Sequence, residues 1–541
     1  MSSIQKHREH FARTPQINIQ RSTFDTSQGT KTTFDPGKII PLKCIEIVPG
    51  DTHKLRTAAF VRMITPIAPY MDNLYMDFFA FFVPNRLVWE NWQKFMGEQE
   101  NPGDSTDFTI PQVSPINTQT GTLWDYYGIP YSQATESIPV NALPFRGYNL
   151  IFNEWFRDQD LVDSVPVHKD NGPDPVDSAN YSVLRRMKRH DYFTSARPWP
   201  QKGPDVLIPG SSEAGARAQV YGDSQSAQLK LGPAGASANI LGTTSGNSLG
   251  WNGAPITSAT TMYFPQKTDP GHTGLMVDDI SDLLGTINQL RQAEAVQVLL
   301  ERDARGGTRY IEMLKSQYGV TNPDFRLQRP ELVGQGQLRV STNPVPQTSS
   351  TDETTPQGNL AAFSVASGSD AFAFTHSFTE HGYLHIFCSV RADLNYQQGL
   401  HRMWSRKKRF DFYVPALAHL GEQAILNKEI LWRNPGLNPT WNDGVFGYQE
   451  AWADYRYGYN NITGDFRTEN PSNLGQWHLA QQFDRGTGVF LDESFIVENP
   501  PIDRILAVEP SDNAFFGDFW FDIQSTRPMP VYSIPGWSSN L

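Results

Sequence analysis

A mainly β fold, a two-sheet jelly roll with long loop and helical insertions, is predicted by three observations. Aromatic and β-branched runs bounded by Gly, Pro and Asn occur early in the chain, between residues 23 and 84, and return in its C-terminal third. Long polar stretches separate the two groups, and 42 Gly with 39 Pro in 541 residues point to extended loops. A sheet closed by distant segments satisfies this order, because a jelly roll manages its edges by pairing strands far apart in sequence. Length alone allows three or four average domains, but one elaborated β domain spanning 1–541 is expected.

Along the chain, a polar arm comes first. HKLRTAAFVRMIT (His53 to Thr65) partly alternates, and MDNLYMDFFAFFV (Met71 to Val83) is aromatic throughout, so both read as strands of a buried sheet. RLVWENWQKFMGE (Arg86 to Glu98) sets Leu87, Trp89, Trp92 and Met96 at helical spacing after Pro84 and predicts a short amphipathic helix. A second helix is expected over YNLIFNEWFRDQ, Tyr148 to Gln159, packing its apolar face on the core. The strongest helical pattern is ISDLLGTINQLRQAEAVQVLLERDAR, with Leu283, Ile287, Leu290, Ala293 and Leu300 in register, Ser281 as N-cap and Gly306-Gly307 as its end. GYLHIFCSV (Gly382 to Val390) and AFFGDFWFDIQS (Ala514 to Ser525) read as late strands.

Residues 203–274 are rich in Gly, Ala, Ser and Thr and hold few core formers, which predicts a surface insertion too long to be filler. A second polar surface loop is expected at 341–358 (STNPVPQTSSTDETTPQG). The N-terminal residues carry charge and no apolar h-region, the run Phe78 to Val83 is far shorter than a membrane span, and there are two cysteines, Cys44 and Cys388. A cytoplasmic, unstapled protein is expected, with room for at most one bridge.

Motifs for chemistry are missing. There is no GxSxG, Walker A loop or GxGxxG, and two cysteines exclude a multi-cysteine zinc module. Glu450 and Asp454 in GYQEAWADYRYGY could form the acid/base pair of a glycosidase, but a spacing of four recurs on any short helix. His381 and His385 share a strand face without a third ligand in pattern, and read as structural histidines. The glycosylation patterns at Asn180 and Asn461 lack a secretory route. No catalytic residue, metal or cofactor is expected.

Net charge is −12, from 45 Lys and Arg against 57 Asp and Glu, so any nucleic-acid contact must be local. Two basic clusters stand out. LRRMKRH carries Arg185, Arg186, Lys188 and Arg189, and HRMWSRKKRF carries Arg402, Arg406, Lys407, Lys408 and Arg409 beside Trp404 and Phe410. Cations beside aromatics suit single-stranded nucleic acid, where phosphates are neutralised and bases stack. A solvated face or an intersubunit salt-bridge patch is the alternative.

Several long segments, in order from Arg21 to Arg467, resemble the major capsid proteins of microviruses of the gokushovirus type. They are RSTFDTSQGTKTTFDPGKIIPL, MDNLYMDFFAFFVPNRLVWENWQKFMGE, NALPFRGYNLIFNEWFRDQ, LRRMKRHDYFTSARPWPQKG, LLERDARGGTRYIEML and GYQEAWADYRYGYNNITGDFR. Glu294-Ala295 departs from the family pattern, which has a bulky aromatic there.

The resemblance implies an eight-stranded antiparallel viral jelly roll and a T=1 icosahedral shell of identical subunits around circular single-stranded DNA, assembled in the bacterial cytoplasm. It implies as partners copies of the chain, the packaged DNA, a small basic DNA-binding virion protein, a minor or pilot virion protein and a host surface receptor. It also implies that the variable insertion, mapped to 203–274, forms threefold protrusions for host attachment. The arm before Pro41 and the tail PMPVYSIPGWSSNL are expected to order only against neighbouring subunits or DNA. A secreted carbohydrate-active enzyme and a viral spike or accessory protein are the competing classes; only the capsid reading predicts uniform particles.

Overall fold

The computed structural model describes residues 20–204, 206, 287–306, 316, 328–346, 348, 360–507 and 513–532, except 100, 117, 134, 135, 178 and 437, together with the strand pairs near 220, 241, 249 and 276. Ser281, Leu283, most of 203–274 and the tail beyond 532 lie outside the described residues. The chain divides into two compact units, Met1–Pro200 with Gly306–Leu541, and Gln201–Arg305.

The first unit is built on eight long antiparallel strands: β1 Gln28–Phe34, β2 Ile40–Ile47, β3 Thr52–Met63, β4 Leu74–Pro84, β5 Glu331–Pro346, β6 Leu360–Ser377, β7 Gly382–Ala392 and β8 Phe515–Arg527. One sheet runs β1-β8-β3-β6 and the other β2-β7-β4-β5, and β5 joins them by also pairing with β6 through Ser341–Pro346. The last strand thus lies between the first and the third, the closure expected of a jelly roll.

Sequence pattern explains which sheet lies where. β3 and β8 alternate buried and exposed residues, as strands with one wet face do, whereas β4 and β7 are buried almost throughout. Between the sheets Phe34, Phe78, Phe372, Ile386, Phe519 and Phe521 form the core. The other side of β4 and β7 packs against α1 (Leu143–Ile151) through Phe81, Phe387, Tyr148 and Phe152. Pro144 opens α1, where a missing N–H costs nothing. The helix continues as a single π turn, Phe152–Phe156, and ends at the extended Arg157, so it begins and ends earlier than the pattern predicts.

The helix expected over Arg86 to Glu98 is broken into a 3₁₀ turn, Asn85–Leu87, and one α turn, Trp92–Phe95. The Glu90 amide bonds the Lys169 carbonyl at 3.0 Å instead of continuing the ladder, and Trp89 is buried with its indole N–H on Asn171 Oδ1 at 2.9 Å. The arm departs from expectation where it is described, while residues 1–19 lie outside the described residues. Ser22–Asp25 and β1 pair with β8 of the same chain, because the outer edge of β8 offers unpaired backbone groups nearby. The first six residues of the polar run at 341–358 continue β5. Cys44 and Cys388 are both free.

In the second unit, α2 (Ile287–Gly306) matches the helical pattern, with Leu290 half exposed. Short antiparallel pairs join Val220–Tyr221 to Met276–Val277 and Leu241–Gly242 to Leu249–Gly250. No helix among the described residues is long and apolar enough to cross a membrane.

Candidate nucleic-acid interface

The two basic clusters, alike in sequence, differ in what surrounds them. In the first, the Arg185 guanidinium donates to the carbonyls of Pro36 (3.1 Å) and Glu498 (3.4 Å) and to Asn499 Oδ1 (3.1 Å). Arg186 and Arg391 share the Asp77 carboxylate at 2.7 and 2.9 Å. Lys188 is buried, donating to Gln481 Oε1 at 2.7 Å and to the Phe495 carbonyl, and burial pushes its pKa down to about 8. Only Arg189 of these four is exposed. This cluster ties the segment after α1 to β4, β7 and the chain leading into β8.

The second cluster sits in the β7–β8 connection. His401 caps a 3₁₀ turn, Arg402–Ser405, by accepting the Met403 amide, and Asp411 accepts the amides of Lys407 and Lys408 at 2.7 Å each. Those amides hold the Asp411 carboxyl below the usual range. Two of the five cations are internal. Arg402 donates to the Ala424 carbonyl (3.0 Å) and Glu429 (3.3 Å), and Arg406 pairs with Asp454, donates to the Asp411 carbonyl and lies 4.4 Å from the Tyr455 ring centroid.

Lys407, Lys408 and Arg409 are exposed, flanked by Trp404 (70 % exposed) and Phe410 (69 %). Phe412, Tyr413 and Tyr455 add exposed rings that the sequence reading did not single out. Phe412 and Tyr413 follow the basic run directly, so their adjacency was a usable signal; Tyr455 comes near only through the fold. Three neighbouring cations among exposed aromatic rings can neutralise phosphates and stack bases.

The catalytic and metal candidates dissolve into structural pairs. Glu450 meets Arg456 at 2.5 Å and accepts the Tyr457 hydroxyl at 2.8 Å, while Asp454 is held by Arg406. His385 is fully buried, its Nδ1 2.9 Å from the Tyr127 hydroxyl, and burial drives its pKa down to about 3; His381 instead packs edge-on against Trp92. No metal-binding group of three or more ligands occurs among the described residues.

Residues 12–537 match the family model of the capsid protein (F protein). The chain is 45 % identical to the capsid protein VP1 of Bdellovibrio phage phiMH2K over 98 % of both chains. It is 38 % identical to capsid protein VP1 of Chlamydia phage 1, covering 99 % of this chain and 98 % of the relative. The chain belongs to the capsid protein (F protein) family. With capsid protein VP1 of Spiroplasma virus 4 the identity is 33 % over 99 % of both chains. The capsid subunit is therefore a structural protein of the virion shell and not an enzyme.

Proposed function

We propose that copies of this capsid subunit close into an icosahedral T=1 shell around a single-stranded DNA genome, assembled in the cytoplasm of a bacterial host. The observation that carries the genome contact is the exposed run of Lys407, Lys408 and Arg409 between Trp404 and Phe410, in a subunit whose net charge is −12. A shell of that charge cannot neutralise DNA as a whole, so a local basic surface and a small basic virion protein share the task. From the first cluster the proposal keeps only Arg189. Arg185, Arg186, Lys188, Arg402 and Arg406 hold the fold and shape the surface from behind.

The 203–274 insertion is proposed to form the outer protrusions that meet a host receptor, because it is long and poor in core formers. A minor or pilot protein completes the particle in this reading. Replacing Lys407, Lys408 and Arg409 by Gln tests the genome contact: particles of normal size with reduced DNA content are expected. Normal filling of such particles would remove this surface from the proposal.

A further inference from the structure

Arg406, Lys407, Lys408 and Arg409 are four consecutive cations, and like charges so close together push a loop open. Arg406 is neutralised by Asp454. Asp443 lies within electrostatic reach of Lys407 but is bonded to Lys428 at 2.8 Å. The carboxylate that engages the run itself is Asp411, and it does so through the backbone.

Asp411 closes the run into a compact turn. Its Oδ2 atom accepts the amides of Lys407 and Lys408, both at 2.7 Å. Its own amide donates to the Lys408 carbonyl at 3.1 Å, and its carbonyl accepts Arg406 Nε at 2.8 Å. The Phe412 amide then reaches the Arg409 carbonyl at 3.4 Å. With their amides turned in to one oxygen, Lys407 and Lys408 stand exposed beside Arg409 and Phe410.

Two effects of this carboxylate on a phosphate ligand oppose each other. Its charge repels the ligand, an effect that is small between solvated groups. Its hydrogen bonds fix the backbone of the run before contact, so association no longer has to supply that ordering. Two amides on one accepting oxygen, joined by the main-chain bonds of the same residue, make the ordering the larger effect.

We propose that Asp411 is a positioning residue of the nucleic-acid surface: it shapes the turn that presents Lys407, Lys408 and Arg409 to phosphates, and strengthens binding although it carries the ligand's own sign of charge. The proposal rests on the reading that this loop contacts the genome. Binding of dissociated subunits to an oligothymidylate, followed by fluorescence anisotropy, separates the two effects by sign. Asp411→Ala removes both charge and acceptor. Asp411→Asn removes the charge and keeps one carbonyl oxygen, which is all that the two amides use. The alanine variant is expected to bind at least fivefold more weakly than the unmodified chain, and the asparagine variant at least as tightly. Because the lost bonds lie within one surface turn, both variants should melt like the unmodified chain.

Alanine-variant binding equal to or tighter than that of the unmodified chain would overturn the proposal, leaving Asp411 as a repelling charge only. So would equal weakening in both variants, which would trace the effect to the charge and not to the accepted amides. The variant with Gln at Lys407, Lys408 and Arg409 is the control. If it binds like the unmodified chain, the genome surface itself falls, and this proposal with it.

Discussion

The Arg406 guanidinium lies 4.4 Å from the centroid of the Tyr455 ring while it pairs with Asp454, both partners of the ion pair being nearly buried. Removing one partner of such a pair strands the other charge, at a cost of about 3–5 kcal/mol. Arg406→Gln is therefore expected to lower the subunit's unfolding free energy by that order in a denaturant titration. A change under about 0.5 kcal/mol, the usual range for surface substitutions, would place Arg406 with the exposed cations instead.

Lys407, Lys408 and Arg409 should behave in the opposite way. Each phosphate contact to single-stranded DNA contributes about 0.7 to the slope of log affinity against log salt. The triple Gln variant is expected to bind an oligothymidylate with a slope smaller by about 2 and to melt like the unmodified chain. An unchanged slope would argue against phosphate contacts here.

His385 links the core to pH. Its folded pKa, about 3, lies below the ordinary value of 6.5, so the unfolded chain binds a proton that the folded chain refuses as pH falls. Stability is full above pH 6.5 and declines from there towards pH 3, by up to about 1.4 kcal/mol per pH unit for this group. His53 and His478 are shifted in the same direction by burial. His385→Phe should flatten the decline in melting temperature between pH 7 and pH 4 without abolishing it, and an undiminished decline would count against the assignment.

Phe519 joins the two sheets, its ring 6.4 Å from Phe34 and 6.0 Å from Phe78. Phe519→Ala opens a cavity where neither sheet can collapse, and about 3–5 kcal/mol of stability should be lost. Calorimetry of the free subunit checks this against Trp520→Ala, which removes an exposed ring from the next position and should cost far less.

Those two neighbours also show what the sequence disclosed. Burial alternates through Phe515–Arg527, a strand with one wet face, and the aromatic run of Leu74–Pro84, broken by Asp77, marks one buried on both. Glu331–Pro346 was hidden because its residues are polar and glycine-rich. At Gly336 a Cβ would lie 2.3 Å from Phe372 Cβ, so the glycine serves close strand approach where the composition suggests a loop. The basic clusters were legible as charge and not as location. Lys188 and Lys407 sit in similar runs, but the Phe495 carbonyl and Gln481, about 300 residues further on, hold Lys188 inside.

The most direct measurement is a cryo-electron microscopy map of the DNA-filled particle. The account predicts a closed icosahedral shell of this subunit, with Trp404 to Tyr413 on its inner surface in contact with nucleic-acid density. A shell that carries those residues on its outside, or buries them between subunits away from DNA, would contradict it.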